Sequence, residues 1–407
     1  MGAGYGHIMH PYEDKELTFK GLADVLSAAS NGFSRSSFVW EKTDGINLMM
    51  TWKDGKPLFA RNKTQMSDFG NNALDEDEIG SHFSSLPDVQ RVISLAAAQL
   101  SMAMRSIDSV ESFTFFQEGE RFASIEVIHP DTPNVIRYTK PIIAIHGIVR
   151  VNDTGSKSSI FLGRTAEIDN LVDSLQLTPG KFTVIGQSRP TISPIDEHKT
   201  ASLIKILESM NESNRDGVLV SDWARKKVKR VILDRMIQDS ISMDVDVATR
   251  RLFDGDKDVD LRTVARLYGK DASTWLKGLD ASSTQIKRQA MAEVHDMVIA
   301  IGSNILERST DLISGKDRAA VKLATADAYR DSVKAIMNQG NSSDKARYFR
   351  EMITIHDLGG IDRLPPMEGV IFDHGGKTYK LTGLFAPVHR VNSILKFKKE
   401  PAKNAHS

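Results

Sequence analysis

The chain has 407 residues, 40% hydrophobic and 26% charged, enough for two or three domains with a sizeable core. Lys+Arg and Asp+Glu each number 53, so the formal net charge is zero, which argues against a general nucleic-acid coat protein but allows a local basic groove. There is no cysteine, which excludes disulfides, thiolate metal sites and a cysteine nucleophile, and there is no run of about 18 apolar residues to span a membrane. The first residues lack the apolar stretch of a secretion signal, so a cytoplasmic, non-secreted protein is expected.

In chain order, a Gly/His-rich lead carries His7 and His10, read as surface or packing residues and not as metal ligands. An amphipathic helix over Phe19–Ala29 follows, with Leu22, Val25 and Leu26 on one face, stopped by Asn31-Gly32. Residues 37–63 read as a β-hairpin with apolar runs at Phe38–Trp40 and Ile46–Trp52, a tight Asp54-Gly55 turn and a return over Pro57–Ala60 that delivers Arg61. Between the two runs stands Glu41-Lys42-Thr43-Asp44-Gly45-Ile46-Asn47. Lysine is a poor nucleophile at its ordinary pKa of about 10.4, but partial desolvation beside other cations can remove its proton. Lys42 and Arg61 are expected at the same end of the sheet.

Residues 64–83, with the acidic Asp75-Glu76-Asp77-Glu78, read as an exposed loop, and 87–107 as a helix whose stripe is Val92, Leu95, Ala96, Leu100 and Met104. Strand character returns in Ser112–Gln117, in Ala123–Ile128 and in Pro141–Val149, which contains His146. Glu126 lies between Ile125 and Val127, so it points away from both, towards solvent or into a cleft. From about 165 to 356 the pattern is mainly helical, and the stripe Ile286, Ala290, Val294, Met297, Val298, Ile301 and Ile305 suggests a bundle core. The basic run Arg225-Lys226-Lys227-Val228-Lys229-Arg230 is a phosphate grip or a solvated helix face. Past Gly359-Gly360 and Pro365-Pro366 comes a second hairpin, Glu368–Phe372 and Lys377–Leu381, and then a basic tail.

These pieces, in this order, resemble the covalent nucleotidyltransferase superfamily of ATP-dependent DNA and RNA ligases and mRNA capping enzymes. The likeness rests on Lys42-Thr43-Asp44-Gly45, Arg61, Glu126, Glu368-Gly369-Val370-Ile371-Phe372 and Tyr379-Lys380-Leu381. Glu41 before the lysine and Asn47 after it are similar to nick-sealing and editing RNA ligases. The His lead and the closing Lys380-Leu381-Thr382-Gly383 string also resemble uncharacterised tailed-phage proteins with a ligase-like core, for which the cytoplasm would be that of an infected cell.

The resemblance implies an α+β fold: an antiparallel-sheet nucleotidyltransferase core of ATP-grasp-like ligase type, interrupted by a large α-helical insertion. The expected divisions are a core over 1–160 and 365–395, a helical insertion over 161–364 and a flexible tail over 396–407. By the same resemblance Lys42 attacks the α-phosphate of ATP, and Lys380 contacts that phosphate. Glu41, Asp44, Gly45, Asn47, Arg61, Glu126, His146, Glu368, Lys377 and Lys380 bind the nucleotide, with His146 as the ring able to stack and Lys377 as a second closing lysine. Glu126 and Glu368 hold Mg2+ or Mn2+. The implied partner is a nucleic acid with a 5′-phosphate end or nick, RNA before DNA, held by the helical insertion and the tail. A nucleotidyltransferase with a non-nucleic acceptor, or a degenerate ligase-like structural module, remain the alternatives.

Overall fold

The structure, a computed structural model, describes residues 8–32, 39–107, 115–151, 159–163, 166–194, 198–213, 217–256 and 258–396. His7, Phe38, the first half of the strand expected at Ser112–Gln117 and the tail beyond 396 lie outside the described residues; in the second half Phe115 and Phe116 are helical and buried, not strand. No helix among the described residues is long and apolar enough to cross a membrane.

The fold is α+β, with two principal antiparallel sheets that share one chain crossing. In the smaller, β1 (Val39–Lys42) pairs with β10 (Gly369–His374), which pairs with β11 (Lys377–Leu381). In the larger, the order is β3 (Lys56–Ala60), β2 (Ile46–Lys53), β4 (Arg121–Ile128), β5 (Ile142–Val151) and β6 (Ser159–Gly163), with β7 (Thr183–Ile185) parallel to β5. A short antiparallel pair, β8 (Thr191–Ile192) with β9 (Ser309–Thr310), stands apart from both. The single hairpin expected over 37–63 is therefore corrected. Only β2 and β3 form a hairpin, around Asp54-Gly55, whereas β1 takes its partner from more than 320 residues away. Thr43-Asp44-Gly45 is a crossing between sheets, not a turn within one.

One face of the larger sheet, with Leu48, Met50, Ile125, Val127, Ile143 and Ile145, packs on α4 (Pro87–Ser106) and α5 (Ala166–Gln176). The sheet thus continues past the expected boundary at 160, because β6 and β7 satisfy the edge of β5. Residues 64–83 are not an open loop. They form α2 (Lys63–Met66) and α3 (Glu76–Ser81), and the acidic run is a helix start, with the Asp75 carboxylate accepting from Asp77 and Glu78 N–H.

The back of the smaller sheet is apolar. Val39, Val370, Phe372, Tyr379 and Leu381 join α1 (Phe19–Ser30), α6 (His198–Ser213), α7 (Val220–Gln238) and the second half of α10 (Lys270–Glu307). The first half of α10 packs instead with α7, α8 (Val245–Thr249) and α9 (Leu261–Tyr268). A third cluster joins the 135–142 segment to α11 (Arg318–Gln339), α12 (Ser342–Asp357) and α13 (Phe385–Lys396). One face of the helical block therefore supplies the floor under the lysine strand.

Candidate active site

Lys42 is the last residue of β1. Its carbonyl accepts from Glu368 N–H at 3.1 Å, and it stands opposite Gly369. The twofold alternation of strands places Lys42, Trp40, Ile371 and Lys380 on the face opposite the apolar floor. Lys42 Nζ lies 2.6 Å from Glu368 Oε2. Gly369 lets β11 come close: a Cβ there would fall 2.1 Å from the Leu381 carbonyl oxygen. Burial pushes the Glu368 carboxyl up to about 7; Lys42 pulls it down, while Asp44 and Glu126 reinforce the rise. Burial likewise pulls the Lys380 amine down and the charge of Lys42 adds to that, against Glu13 and Glu368.

The larger sheet contributes from across the crossing. Gly45 N–H donates to Glu126 Oε1 at 2.9 Å. A Cβ on Gly45 would meet the Val127 carbonyl oxygen at 2.6 Å and Glu126 Cγ at 2.9 Å, so the glycine is required by close approach. Glu126 stands opposite Asn47 on β2 and Ala144 on β5. Ile125 pairs with Ile145 and Ser124 with Gly147, which leaves His146 as the extra residue of a β-bulge. The bulge brings His146 Nε2 to 3.1 Å from Thr43 Oγ1 and 3.5 Å from Glu126 Oε2. Burial would raise the Glu126 carboxyl, but His146, Lys42 and the Gly45 N–H outweigh it and hold the group below its ordinary range. Arg61 Nη1 donates to the Asn47 carbonyl at 2.7 Å, with its charge near Glu126.

Asp44 is consumed by the protein itself. Its carboxylate accepts from Asn134 Nδ2, Val135 N–H and Ile136 N–H, each at 2.7 Å. This fastens the segment that carries Tyr138 to the crossing. Tyr138, Ile313, Ser314 and Lys316 line a cleft of about 170 Å3. Behind it, Glu41 Oε2 accepts from Ile313 N–H at 2.7 Å. Glu41 is 1% exposed, and burial pushes its carboxyl up to about 8 against the pull of the Ile313 N–H and Ser188. Ser314 Oγ on the cleft wall is buried without a hydrogen-bond partner among the described residues. Burial pushes the Tyr138 phenol well up, and the charges of Glu41, Asp44 and Glu368 add to the rise.

Of the residues expected at the site, Lys42, Glu368, Lys380, Glu126, His146, Asn47, Arg61 and Gly45 are brought together. Glu41 lies on the opposite face of β1, towards the cleft, and Asp44 acts as a staple. Lys377 is a correction. It stands three residues before Lys380, on the other face of β11, where its amine pairs with Asp14 at 2.8 Å and Glu16 at 2.6 Å. His146 is also held edge-in by Thr43 and Glu126, and the exposed-ring stacking role does not suit it. Tyr138 is not foreseen from the sequence, since it sits in an irregular segment with no periodicity to mark it. No group of three metal-ligating side chains occurs among the described residues. Glu126 stands opposite Asn47, whose Oδ1 is buried without a partner among the described residues, and its charge acts on Glu368, so hard oxygen donors neighbour one another here. Such a set suits Mg2+, which takes one or two carboxylates and completes its shell with water and phosphate.

No family model, curated protein or solved structure matches this chain.

Proposed function

We propose that the protein is a covalent nucleotidyltransferase acting through Lys42, and that its reaction is ATP-dependent sealing of 5′-phosphorylated strands, RNA before DNA. The observation that carries this reading is the Lys42–Glu368 contact at 2.6 Å with Lys380 on the same sheet face. A nucleophilic lysine needs a proton acceptor, and Glu368, whose proton affinity burial raises, is in contact with it. Lys42 Nζ forms a bond to the α-phosphorus as the bond to the pyrophosphate oxygen breaks, and the amine proton passes to Glu368. Lys380 stabilises the negative charge that develops on the phosphate. Arg61 and Asn47, across the seam from Lys42, would steady the sugar. A divalent cation held at Glu126 would neutralise charge on the leaving pyrophosphate, leaving Glu368 to take the proton. The nucleotidyl group would then pass from Lys42 to a 5′-phosphate, and a 3′-hydroxyl would displace AMP.

Incubation with α-labelled ATP and Mg2+ should leave label on the denatured protein, and Lys42→Ala should remove it. A nicked duplex or splinted RNA should then be sealed. Label without sealing would move the acceptor to another class, and absence of label with both ATP and GTP would overturn the reading.

A further inference from the structure

Away from the lysine, three helices meet around one carboxylate. Glu351 of α12, 5% exposed, accepts from Arg288 Nη2 of α10 and from Arg390 Nε of α13 at 2.8 Å. One guanidinium would neutralise it, so the pair leaves one positive charge in surplus. Each guanidinium has five N–H donors, and among the described residues each arginine directs one to Glu351 and none elsewhere. Arg288 is exposed and Arg390 half-buried, so the remaining donors can reach solvent.

An aromatic platform adjoins the pair. Tyr12 stacks on His10 at 5.2 Å between ring centroids and makes a T-shaped contact with His295 at 5.5 Å. His295 lies two turns beyond Arg288 on the same stripe of α10, about 10 Å along its axis. The phenol of Tyr12 sits within the field of both arginines. The same N-terminal lead is tied to the lysine sheet, since Lys380 N–H donates to the Met9 carbonyl at 2.9 Å and Glu13 is near the Lys380 amine. The N-terminal lead therefore links the Lys380 strand to the α10 helix that carries Arg288.

We infer that Arg288, Arg390 and Tyr12 form a subsite for a single-stranded nucleic acid, the arginines gripping backbone phosphate and Tyr12 stacking on a base. Cations that track a backbone beside an aromatic ring are the recurring chemistry of single-strand binding. The inference rests on the strand-sealing reading for its partner, but not for its chemistry.

Binding of a fluorescent 5′-phosphorylated 12-nucleotide RNA to the full chain, followed by anisotropy over a salt series, tests it. Arg288→Ala and Arg390→Ala should each weaken binding about tenfold and flatten the log K against log salt slope by about 0.7 for each phosphate released. Either single variant leaves Glu351 paired with the other arginine, so the fold is retained. Glu351→Gln, which keeps the shape and removes the negative charge, should tighten binding, and Tyr12→Leu should weaken it without altering the salt slope. All four variants should still label at Lys42. Unchanged affinity and slope in both arginine variants would reduce the pair to a structural clamp and overturn the inference. So would a wild-type protein that binds no strand, or equal competition by inorganic phosphate and RNA at matched phosphate concentration. Arginine-dependent RNA binding in a protein that takes no label would keep this subsite and remove the sealing reaction.

Discussion

The backbone N–H of Gly45 donates to Glu126 Oε1 across 2.9 Å, and this bond joins the strand of the lysine to the sheet of the acid. Lys42 belongs to a three-stranded sheet and Glu126 to a larger one, so the candidate site lies at the seam between them. Relative movement of the two sheets would separate the amine and its partner Glu368 from Glu126. Three groups oppose that movement: the Gly45 N–H, the Asp44 staple and the His146 bulge.

Gly45→Ala should therefore strike both fold and chemistry. The added methyl would sit 2.6 Å from the Val127 carbonyl oxygen, which is backbone and cannot swing aside. The overpacking should lower stability by about 1–3 kcal/mol in urea unfolding. Covalent labelling at Lys42, measured below the melting temperature, should fall as well, because Glu126 must move. Unchanged stability would show that the seam is more compliant than its geometry implies.

Asp44→Asn tests the staple separately. An amide has one acceptor oxygen where the carboxylate has two, so the amino group would face the Val135 and Ile136 N–H donors or displace Asn134. A loss of about 1–3 kcal/mol is expected. Amide hydrogen exchange should speed up at Val135 and Ile136 before it does in α4. Protection unchanged at those two amides would remove the staple from the account.

Much of this arrangement is legible in the chain. The apolar alternation on both sides of Lys42, the isolated acid of β4 and the Glu368–Leu381 hairpin all carry strand periodicity, and periodicity survives in a bare sequence. What is not legible depends on pairing at a distance. Thr43-Asp44-Gly45 has good turn chemistry, and only the pairing of Val39–Lys42 with Gly369–Phe372 shows that the chain crosses between sheets there. His146 looks like any residue of an apolar run until the bulge turns it towards Glu126. Lys377 and Lys380 look interchangeable in composition, yet a spacing of three in a strand puts them on opposite faces. The start of α3 could have been read, since Asp75 followed by Glu78 is a capping box.

That parity argument gives a paired test. Lys380→Ala should remove most covalent labelling while leaving the melting temperature near that of the unaltered chain. Lys377→Ala should do the reverse. It strips the buried Asp14 of its cation, leaving the Tyr379 hydroxyl at 2.7 Å as the remaining side-chain partner in that cluster, and so should lower the melting temperature with labelling retained. Equal loss of labelling in both variants would put Lys377 back in the site.

The last prediction concerns pH and Glu41. Its carboxyl, about 8 in the folded chain against 4.5 as the ordinary value, binds its proton more tightly when folded. Below about 4.5 both states are protonated and this contribution to stability is present in full. As pH rises towards 8 the unfolded chain ionises first, so the native state holds the extra proton and stability declines. Glu41→Gln keeps an acceptor for the Ile313 N–H and cannot ionise. It should melt close to the unaltered chain at pH 5 and be more stable by roughly 1–3 kcal/mol at pH 8.5, a part of the ~1.4 kcal/mol per pK unit that full linkage allows. Glu126 titrates in the opposite sense: its lowered value stabilises the fold above the ordinary carboxylate range, and that contribution fades in acid as pH falls through the folded value. Urea denaturation of the two proteins from pH 5 to 8.5 measures the difference directly. Parallel curves would mean that Glu41 is ionised in the native state, its buried charge held by the Ile313 N–H and Ser188.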